Sequence, residues 1–332
     1  MTDTTTKKVK ALGLCSGGLD SMLAGMVLKD QGIDVSWICF ETPFFSSDKA
    51  RRASEITGIP LIVREITPTY LEMLTDPPCG YGKHMNPCRD CHSLMFRLAG
   101  EVMKEEGFDF LFSGEVAGQR PLSQNKQALR YVEKNSGFDG KVLRPLSAKV
   151  LPETEVELSG LVDREQLLGI QGRSRKEQMA LAESYGLTEY PSPAGGCLLT
   201  DKKYSDRLRD LFDSGKAYED SDLHLLKQGR HLRLENGEKL IIGRTKGDNR
   251  WIIKYHDPKR HRLLDLKGKG SPTVVVDLDA SEETVLIGAG LCAGYAKVPV
   301  GTTVEAVVQE PSGKRTIKAV SIDPAVHRDD II

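Results

Sequence analysis

No run of apolar residues in this chain approaches the roughly 20 that a bilayer-spanning helix needs, so a membrane is not an expected partner. Residues 1–8 are rich in Thr and Lys and lack the apolar stretch of a secretory signal. They are expected to be a disordered lead-in to a cytoplasmic protein. A dominant charge is missing too: 46 Lys and Arg meet 47 Asp and Glu, so the chain as a whole selects no partner by its field. Internal repeats and low-complexity tracts are absent. Seven cysteines in a chain of 332 residues are no disulfide framework, and in the cytosol they point to metal, redox or nucleophilic chemistry. Two phosphate motifs are missing as well. Without G-x-x-x-x-G-K-[ST] there is no Walker lysine, and without G-x-G-x-x-G after the first strand a dinucleotide site is disfavoured.

The first two thirds of the chain alternate strand and helix signals. Short apolar runs at 9–15, 34–41, 61–66, 108–113 and 141–146 read as strands; helical spacing marks 21–31, 48–57 and 94–106. Such alternation implies an α/β fold, a Rossmann-like parallel sheet sandwiched by helices. Beyond about residue 200 the pattern changes to a charged helix over 202–212, short strands at 229–234, 239–242, 251–255 and 273–277, a helix over 281–295 and late strands at 303–309 and 315–321. The expected organisation is a first domain over 9–212, a linker over 213–227 and a smaller C-terminal α+β domain over 228–332.

Between the first strand and the first helix stands Ser16-Gly17-Gly18-Leu19-Asp20-Ser21. A Gly-rich turn leading into a helix N-terminus gathers backbone N–H groups and a partial positive charge, which suits a phosphate. Gly17 and Gly18 let the backbone approach closely, Ser16 and Ser21 offer hydroxyls, and Asp20 is placed to hold Mg²⁺ or the loop. The hexapeptide resembles the SGGxDS signature of the PP-loop ATP-pyrophosphatases, whose fold is of the PP-loop/HUP type. That resemblance implies that the loop grips the pyrophosphate of ATP while a substrate oxygen attacks the α-phosphorus, giving an adenylate. It also implies that the segment around Phe40 meets adenine. Gly114, Glu115, Gln119, Arg120 and Arg144 match, more loosely, positions that contact nucleotide in tRNA-thiolating members.

Three of the cysteines suggest the incoming group. Cys88-Arg89-Asp90-Cys91 is a CxxC, and Cys197 follows in Pro193-Ala194-Gly195-Gly196-Cys197. Three thiolates can hold a [4Fe–4S] cluster with one open iron. Alternatively Cys91 and Cys197 run persulfide chemistry, or Cys79, Cys88 and Cys91 form a tetrahedral zinc site with either Cys197 or a histidine, His84 or His92. The arrangement looks like that of the 2-thiouridylase and 4-thiouridine synthetase groups. It implies a catalytic set of Cys88, Cys91, Cys197 and Asp20, with sulfide or a donor protein as sulfur source. Cys79 departs from the three-cysteine pattern and is read as carrying no function; Cys15, Cys39 and Cys292 read as packed core thiols.

Basic segments suggest the acceptor. Arg173, Arg175 and Lys176 precede a helix over 176–185, where they can meet an RNA backbone or simply start a charged helix. From 227 to 269 the chain carries 13 Lys and Arg against 5 Asp and Glu. Arg244, Arg250 and Trp251, with the helix ending at Tyr295, resemble the RNA-binding domain of the NFACT family over 228–321. That resemblance implies a basic sheet face with Trp251 as stacking platform, or Trp251 as ordinary core. Together these features predict an ATP- and Mg²⁺-dependent tRNA sulfurtransferase. The alternatives are a PP-loop enzyme adenylating a small molecule and a nucleotide-regulated RNA-binding protein without catalysis.

Overall fold

The computed structural model describes residues 8–192 and 196–332. The expected lead-in, apart from Lys8, and Pro193, Ala194 and Gly195 lie outside the described residues. The chain divides into two compact units, Met1–Leu199 and Thr200–Ile332.

The first unit runs β1 (Lys10–Leu14), α1 (Leu19–Asp30), β2 (Asp34–Glu41), α2 (Asp48–Thr57), β3 (Leu61–Glu65), α3 (Thr67–Thr75), α4 (Cys88–Glu106), β4 (Phe110–Ser113), α5 (Lys126–Asn135), β5 (Val142–Leu143), α6 (Glu155–Leu158) and α7 (Lys176–Ser184). All four strand pairings are parallel, in the order β3-β2-β1-β4-β5. The α/β expectation is thus borne out. Glycines end the helices at predictable places: Gly58 and Gly107 adopt left-handed φ of 67° and 71°, and their N–H groups close onto Ser54 and Met103. A core of Leu19, Met22, Leu23, Trp37 and Phe110, among others, fills the space between sheet and helices.

The strand order decides where a ligand can bind. From β1 the chain winds outward through β2 and β3, then returns to β4 on the other side of β1. The carboxyl ends of β1 and β4, paired at Leu14 and Ser113, therefore flank a topological switch point, where crossovers leave in opposite directions and open a crevice. Above it the two loops touch. A Cβ on Gly114 would lie 2.4 Å from the backbone carbon and oxygen of Asp20 and 2.5 Å from the Ser21 nitrogen. Only a glycine lets the loop after β4 rest on the first turn of α1.

The second unit contains α8 (Lys202–Asp213), α9 (Asp220–Leu225), β6 (Arg230–Arg233), β7 (Lys239–Ile242), α10 (Lys246–Tyr255), β8 (His261–Leu266), β9 (Val274–Asp277), α11 (Glu282–Tyr295), β10 (Thr303–Glu310) and β11 (Gly313–Val320). Its six strands form one antiparallel sheet in the order β11-β10-β8-β9-β7-β6. Four expectations need correction here. The segment 251–255 is not a strand but the end of α10, because Thr245 caps the helix by accepting from the Asp248 N–H at 3.1 Å. β8 carries three ionisable side chains among its six residues, which masked a strand whose His261, Leu263, Leu264 and Leu266 are buried. The supposed linker contains α9, whose Leu225 joins Ile241, Ile252, Leu263 and Val275 in a small core. Finally, α8 is bonded into the second unit: Arg207 donates to the carbonyls of Leu226 and Gly229, and Asp210 pairs with Arg233 and Lys239.

Gly114→Ala is expected to destabilise the chain by about 1–3 kcal/mol or more, since the methyl meets backbone rather than a yielding side chain. Urea unfolding of parent and variant measures it.

Candidate functional site

The loop after β1 is shaped as a phosphate cradle, though its two glycines serve different ends. Gly17 sits at φ +70°, and a Cβ there would meet the Lys49 carbonyl carbon at 2.2 Å, so this glycine is needed for the turn and for contact with α2. At Gly18 a Cβ would meet only Ser16 Oγ, at 3.4 Å, and the space above the loop stays open. Gly18 caps α1 with no side-chain hydrogen bond, which leaves the first N–H groups of the helix for a ligand. Ser16 is exposed. Ser21 is not as expected: its hydroxyl turns inward and donates to Gly18 O at 2.8 Å. Cys15 and Cys39 are buried, their thiols pushed up to about 11 and about 12 chiefly by that burial, in keeping with packed core thiols.

Asp20 faces the crevice from α1. Burial raises its carboxyl above the usual range, and Gln119, Arg175, Gln178 and Arg120 draw it back. Its Oδ1 is buried with no hydrogen-bond partner. An orphaned carboxylate oxygen beside uncapped N–H groups fits a cation held against phosphate, so these residues suit a Mg²⁺–ATP group. Gln119 and Arg120 arrive from the loop after β4; Arg175 and Gln178 arrive from the start of α7. A clasp holds those two segments together. Ala117 bridges to Gln171, Gly172 N–H donates to Ala117 O at 2.7 Å, and the Ser147 hydroxyl takes the Ala117 N–H while donating to Ile170 O at 2.6 Å. Arg173 and Lys176 are exposed beside the clasp.

Glu115 and Arg144 lie deeper than the sequence suggests, 7% and 4% exposed. Glu115 accepts from Arg144 Nε at 3.1 Å and faces His92 Nδ1 at 2.8 Å; Arg144 also donates to Glu133 at 3.1 Å and to Leu129 O at 3.3 Å. Burial alone would raise Glu115, but the Arg144 guanidinium and His92 outweigh it and hold the carboxyl at about 2. The two residues act on each other, as a strut under the crevice, rather than on its surface. Phe40, also buried, stands near the carboxyl end of β2, opposite Arg64 of β3.

The strut leads to the cysteines. His92 follows Cys91 on α4, whose first turn carries Cys88 and Cys91 three residues apart and thus on one face. Asn86 donates to the Cys88 sulfur at 3.3 Å, and the Tyr70 hydroxyl, from α3, donates to the Cys91 sulfur at 3.6 Å. Cys91 is pushed up to about 12, first by burial, against the pull of the Tyr70 bond, with Cys197 and Cys88 adding to the rise. Burial also drives the Tyr70 hydroxyl well above its ordinary value, and Cys91, Cys197 and Cys88 all contribute. The three cysteines read from the sequence thus share one electrostatic neighbourhood around Tyr70, a residue the sequence did not single out. Phe44 and Phe45, just beyond β2, pack on the Tyr70 ring with centroids 5.5 and 5.2 Å away. Cys79 is exposed; its N–H donates to Asp90 at 2.9 Å. Among the described residues no three His, Cys, Asp or Glu side chains are arranged to hold a metal ion.

In the second unit the candidate RNA contacts separate. Arg244 is paired with Asp248 at 2.8 Å, and Arg250 is exposed on α10. Trp251 stands on a helix, not on a sheet face: its indole N–H donates to His224 O at 2.8 Å and its ring packs on Tyr255 at 4.5 Å. The stacking-platform expectation is therefore corrected in favour of packing. A cavity of about 520 Å³ opens elsewhere in this unit, with Lys216, Lys239, Lys259 and Arg260 in its wall.

Known proteins resemble the chain in the same two parts. The tRNA-specific 2-thiouridylase MnmA 2 of Thermoanaerobacter sp. (strain X514) is 27% identical over 303 residues, covering 84% of this chain and 74% of that protein. The tRNA-specific 2-thiouridylase MnmA of Treponema denticola is 27% identical over 300 residues, covering 84% and 73%. A protein of Oceanobacillus iheyensis named "Probable tRNA sulfurtransferase" is 26% identical over 146 residues, 41% of this chain and 34% of its own. The family model described as NFACT protein RNA binding domain matches residues 229–328. The chain is thus similar over most of its length to proteins named for tRNA thiolation, and over residues 229–328 to the NFACT RNA-binding domain. No described helix is long and apolar enough to cross a membrane.

Glu115→Gln is expected to cost about 3–5 kcal/mol at pH 7, because it leaves the Arg144 charge short of its partner. With a folded pKa depressed to about 2 from an ordinary 4.5, the charged form stabilises the fold fully above pH 4.5. That stability is lost as pH falls through the folded pKa. Urea melts should therefore show parent and variant converging between those two values.

Proposed function

We propose that this chain is an ATP-dependent tRNA sulfurtransferase. The observation that carries the reading is the pair Cys88 and Cys91 on the first turn of α4, with Tyr70 donating to Cys91 at 3.6 Å, on a helix tied by His92 and Glu115 to the loop that rests on the first turn of α1. The relatives named for tRNA thiolation supply the substrate class, and the NFACT-type domain supplies a second surface for RNA.

In this reading Ser16, Gly17, Gly18 and the first N–H groups of α1 hold the triphosphate, and Asp20 serves the cation. ATP supplies an adenylate leaving group on the carbonyl oxygen of a tRNA base, with pyrophosphate released. Gln119, Arg120 and Arg175 offset the charge around Asp20. In the persulfide version a donor protein's persulfide passes its outer sulfur to Cys197, and that sulfur attacks the activated carbon as AMP departs. Cys91 then cleaves the S–S bond to free the thiocarbonyl, leaving a Cys91–Cys197 disulfide that an external thiol reopens. A cluster held by Cys88, Cys91 and Cys197 would instead supply the sulfur as sulfide. Cys91 is half-buried with its sulfur against the Tyr70 hydroxyl, and Cys197 arrives from the segment before the second unit. Arg173 and Lys176, exposed beside the crevice, meet the tRNA backbone.

Purified chain with ATP, Mg²⁺, tRNA and sulfide should form AMP and pyrophosphate only when tRNA is present. Asp20→Asn should abolish both products. Cys197→Ser should keep AMP formation and lose thionucleoside by at least about 100-fold, as expected when an essential sulfur nucleophile is removed. Turnover that ignores tRNA but follows a metabolite contradicts the proposal. Anaerobic iron and sulfide analysis identifies the carrier: iron lost on Cys88→Ala means a cluster, and iron-free active protein means a persulfide.

A further inference from the structure

Tyr70 stands in the middle of α3, only 1% exposed, and its hydroxyl is spent on an unusual acceptor. Among the described residues its hydrogen bond goes to sulfur: the hydroxyl donates to Cys91 Sγ at 3.6 Å. A thiol sulfur is a weak acceptor, and a buried tyrosine hydroxyl ordinarily finds a better one. Phenylalanine would fill the same space without leaving an oxygen to satisfy. The placement is rigid. Phe44 lies tilted against the ring with centroids 5.5 Å apart, and Phe45 meets it edge-on at 5.2 Å, so the hydroxyl keeps its aim.

The two cysteines of the pair are served differently. Cys88 takes its hydrogen bond at 3.3 Å from Asn86, a close neighbour in the same segment. Cys91 takes its own from a different helix. Its backbone N–H is already committed to Pro87 O at 2.8 Å, and the next side chain, His92, faces Glu115 at 2.8 Å. Tyr70 is therefore the donor that the described residues direct at the Cys91 sulfur. A neutral thiol gains little from it. A sulfur that is becoming an anion gains much more, because hydrogen bonds to a charged acceptor are roughly twice as strong as neutral ones. A fixed donor aimed where negative charge develops favours the step that creates that charge.

We propose that Tyr70 is a positioning residue for Cys91 as the thiolate that completes the sulfur transfer. The inference rests on the persulfide version of the proposed function, and it adds which side chain speeds the last step. After AMP has left, the tRNA base is joined to Cys197 through a disulfide. Cys91 gives up its proton and attacks the Cys197 sulfur while the Tyr70 hydroxyl donates to it. The S–S bond to the tRNA sulfur breaks, and its electron pair leaves with that sulfur. The released base takes up one proton as its thiocarbonyl forms. Cys91 and Cys197 are left as a disulfide, so the two electrons come from the protein's own thiols. Nothing in adenylation needs Tyr70, which separates its effect from that of Asp20.

Tyr70→Phe in the full chain, beside Cys91→Ser, tests this in a single turnover without reductant. Each protein is charged with inorganic polysulfide, freed of the excess, and mixed with Mg²⁺, ATP and tRNA from cells lacking the gene. Pyrophosphate reads adenylation, and a non-reducing gel reads tRNA held covalently to protein. Cys91→Ser should accumulate an adduct that added thiol releases as thionucleoside. Tyr70→Phe should form pyrophosphate within about threefold of the parent yet release thionucleoside about tenfold more slowly, the step that one lost hydrogen bond to a charged group commonly makes. It should accumulate the same adduct and recover when thiol is added. Release at the parent rate with no adduct in Tyr70→Phe, while Cys91→Ser still traps one, overturns the proposal alone. An equal fall in pyrophosphate and thionucleoside also overturns it, since the tyrosine is then structural. No trapped adduct in Cys91→Ser overturns the persulfide version and the proposal with it, which separates the two failures.

Discussion

The loop after β4 rests directly on the first turn of α1, with Gly114 so close to the backbone of Asp20 and Ser21 that no side chain fits between them. This contact stands where the strand order of the parallel sheet reverses, and it fixes two loops that would otherwise move separately. From it the arrangement extends in one direction to the phosphate cradle. In the other it reaches Glu115, the next residue, then His92, and through α4 the cysteine pair. A displacement at Gly114 would therefore alter both the placement of Asp20 and the distance from nucleotide to sulfur. In the proposed reaction a base oxygen is adenylated and sulfur then attacks the carbon that bears it, which makes such rigid coupling useful.

Polar groups in the first unit fall into three kinds. Glu115, Arg144 and Glu133 are buried and paired with one another, so their desolvation is offset and they specify geometry. Asp20 is half-buried with its Oδ1 enclosed and unpaired, so it lowers the stability of the empty protein and favours whatever completes it. Tyr70 and Asn86 form a third group, whose donors point at sulfur rather than oxygen. The framework is satisfied from within; the working surface waits for ligands.

Much of the first unit was legible because its signals are periodic or local. Parallel strands buried on both faces read as apolar runs, and SGGLDS read as a phosphate turn at a helix start. Burial was not legible. Glu115 and Arg144, charged residues at strand ends, read as ligand contacts, whereas the fold encloses them in an ion-pair network that depends on Glu133 and His92 from two other helices. Gln178 passed unnoticed for the opposite reason: in a helix rich in charge, one glutamine carries no sign of facing inward. In the second unit short segments were ambiguous between periods of 2 and 3.6. Residues 251–255 alone fit a strand as well as a helix, since five residues cannot separate the two, while the deciding signal, the Thr245 cap, lies six residues upstream. The same brevity hid β8 and α9.

The central claim is that one crevice joins ATP-derived activation to sulfur carried by Cys88, Cys91 and Cys197, with tRNA as acceptor. Its most direct test is a comparison of thionucleosides in tRNA from cells with and without the gene. The account predicts a thionucleoside that disappears when the gene is removed and returns with the parent chain but not with Cys197→Ser. An identical set of thionucleosides in both cells would contradict it.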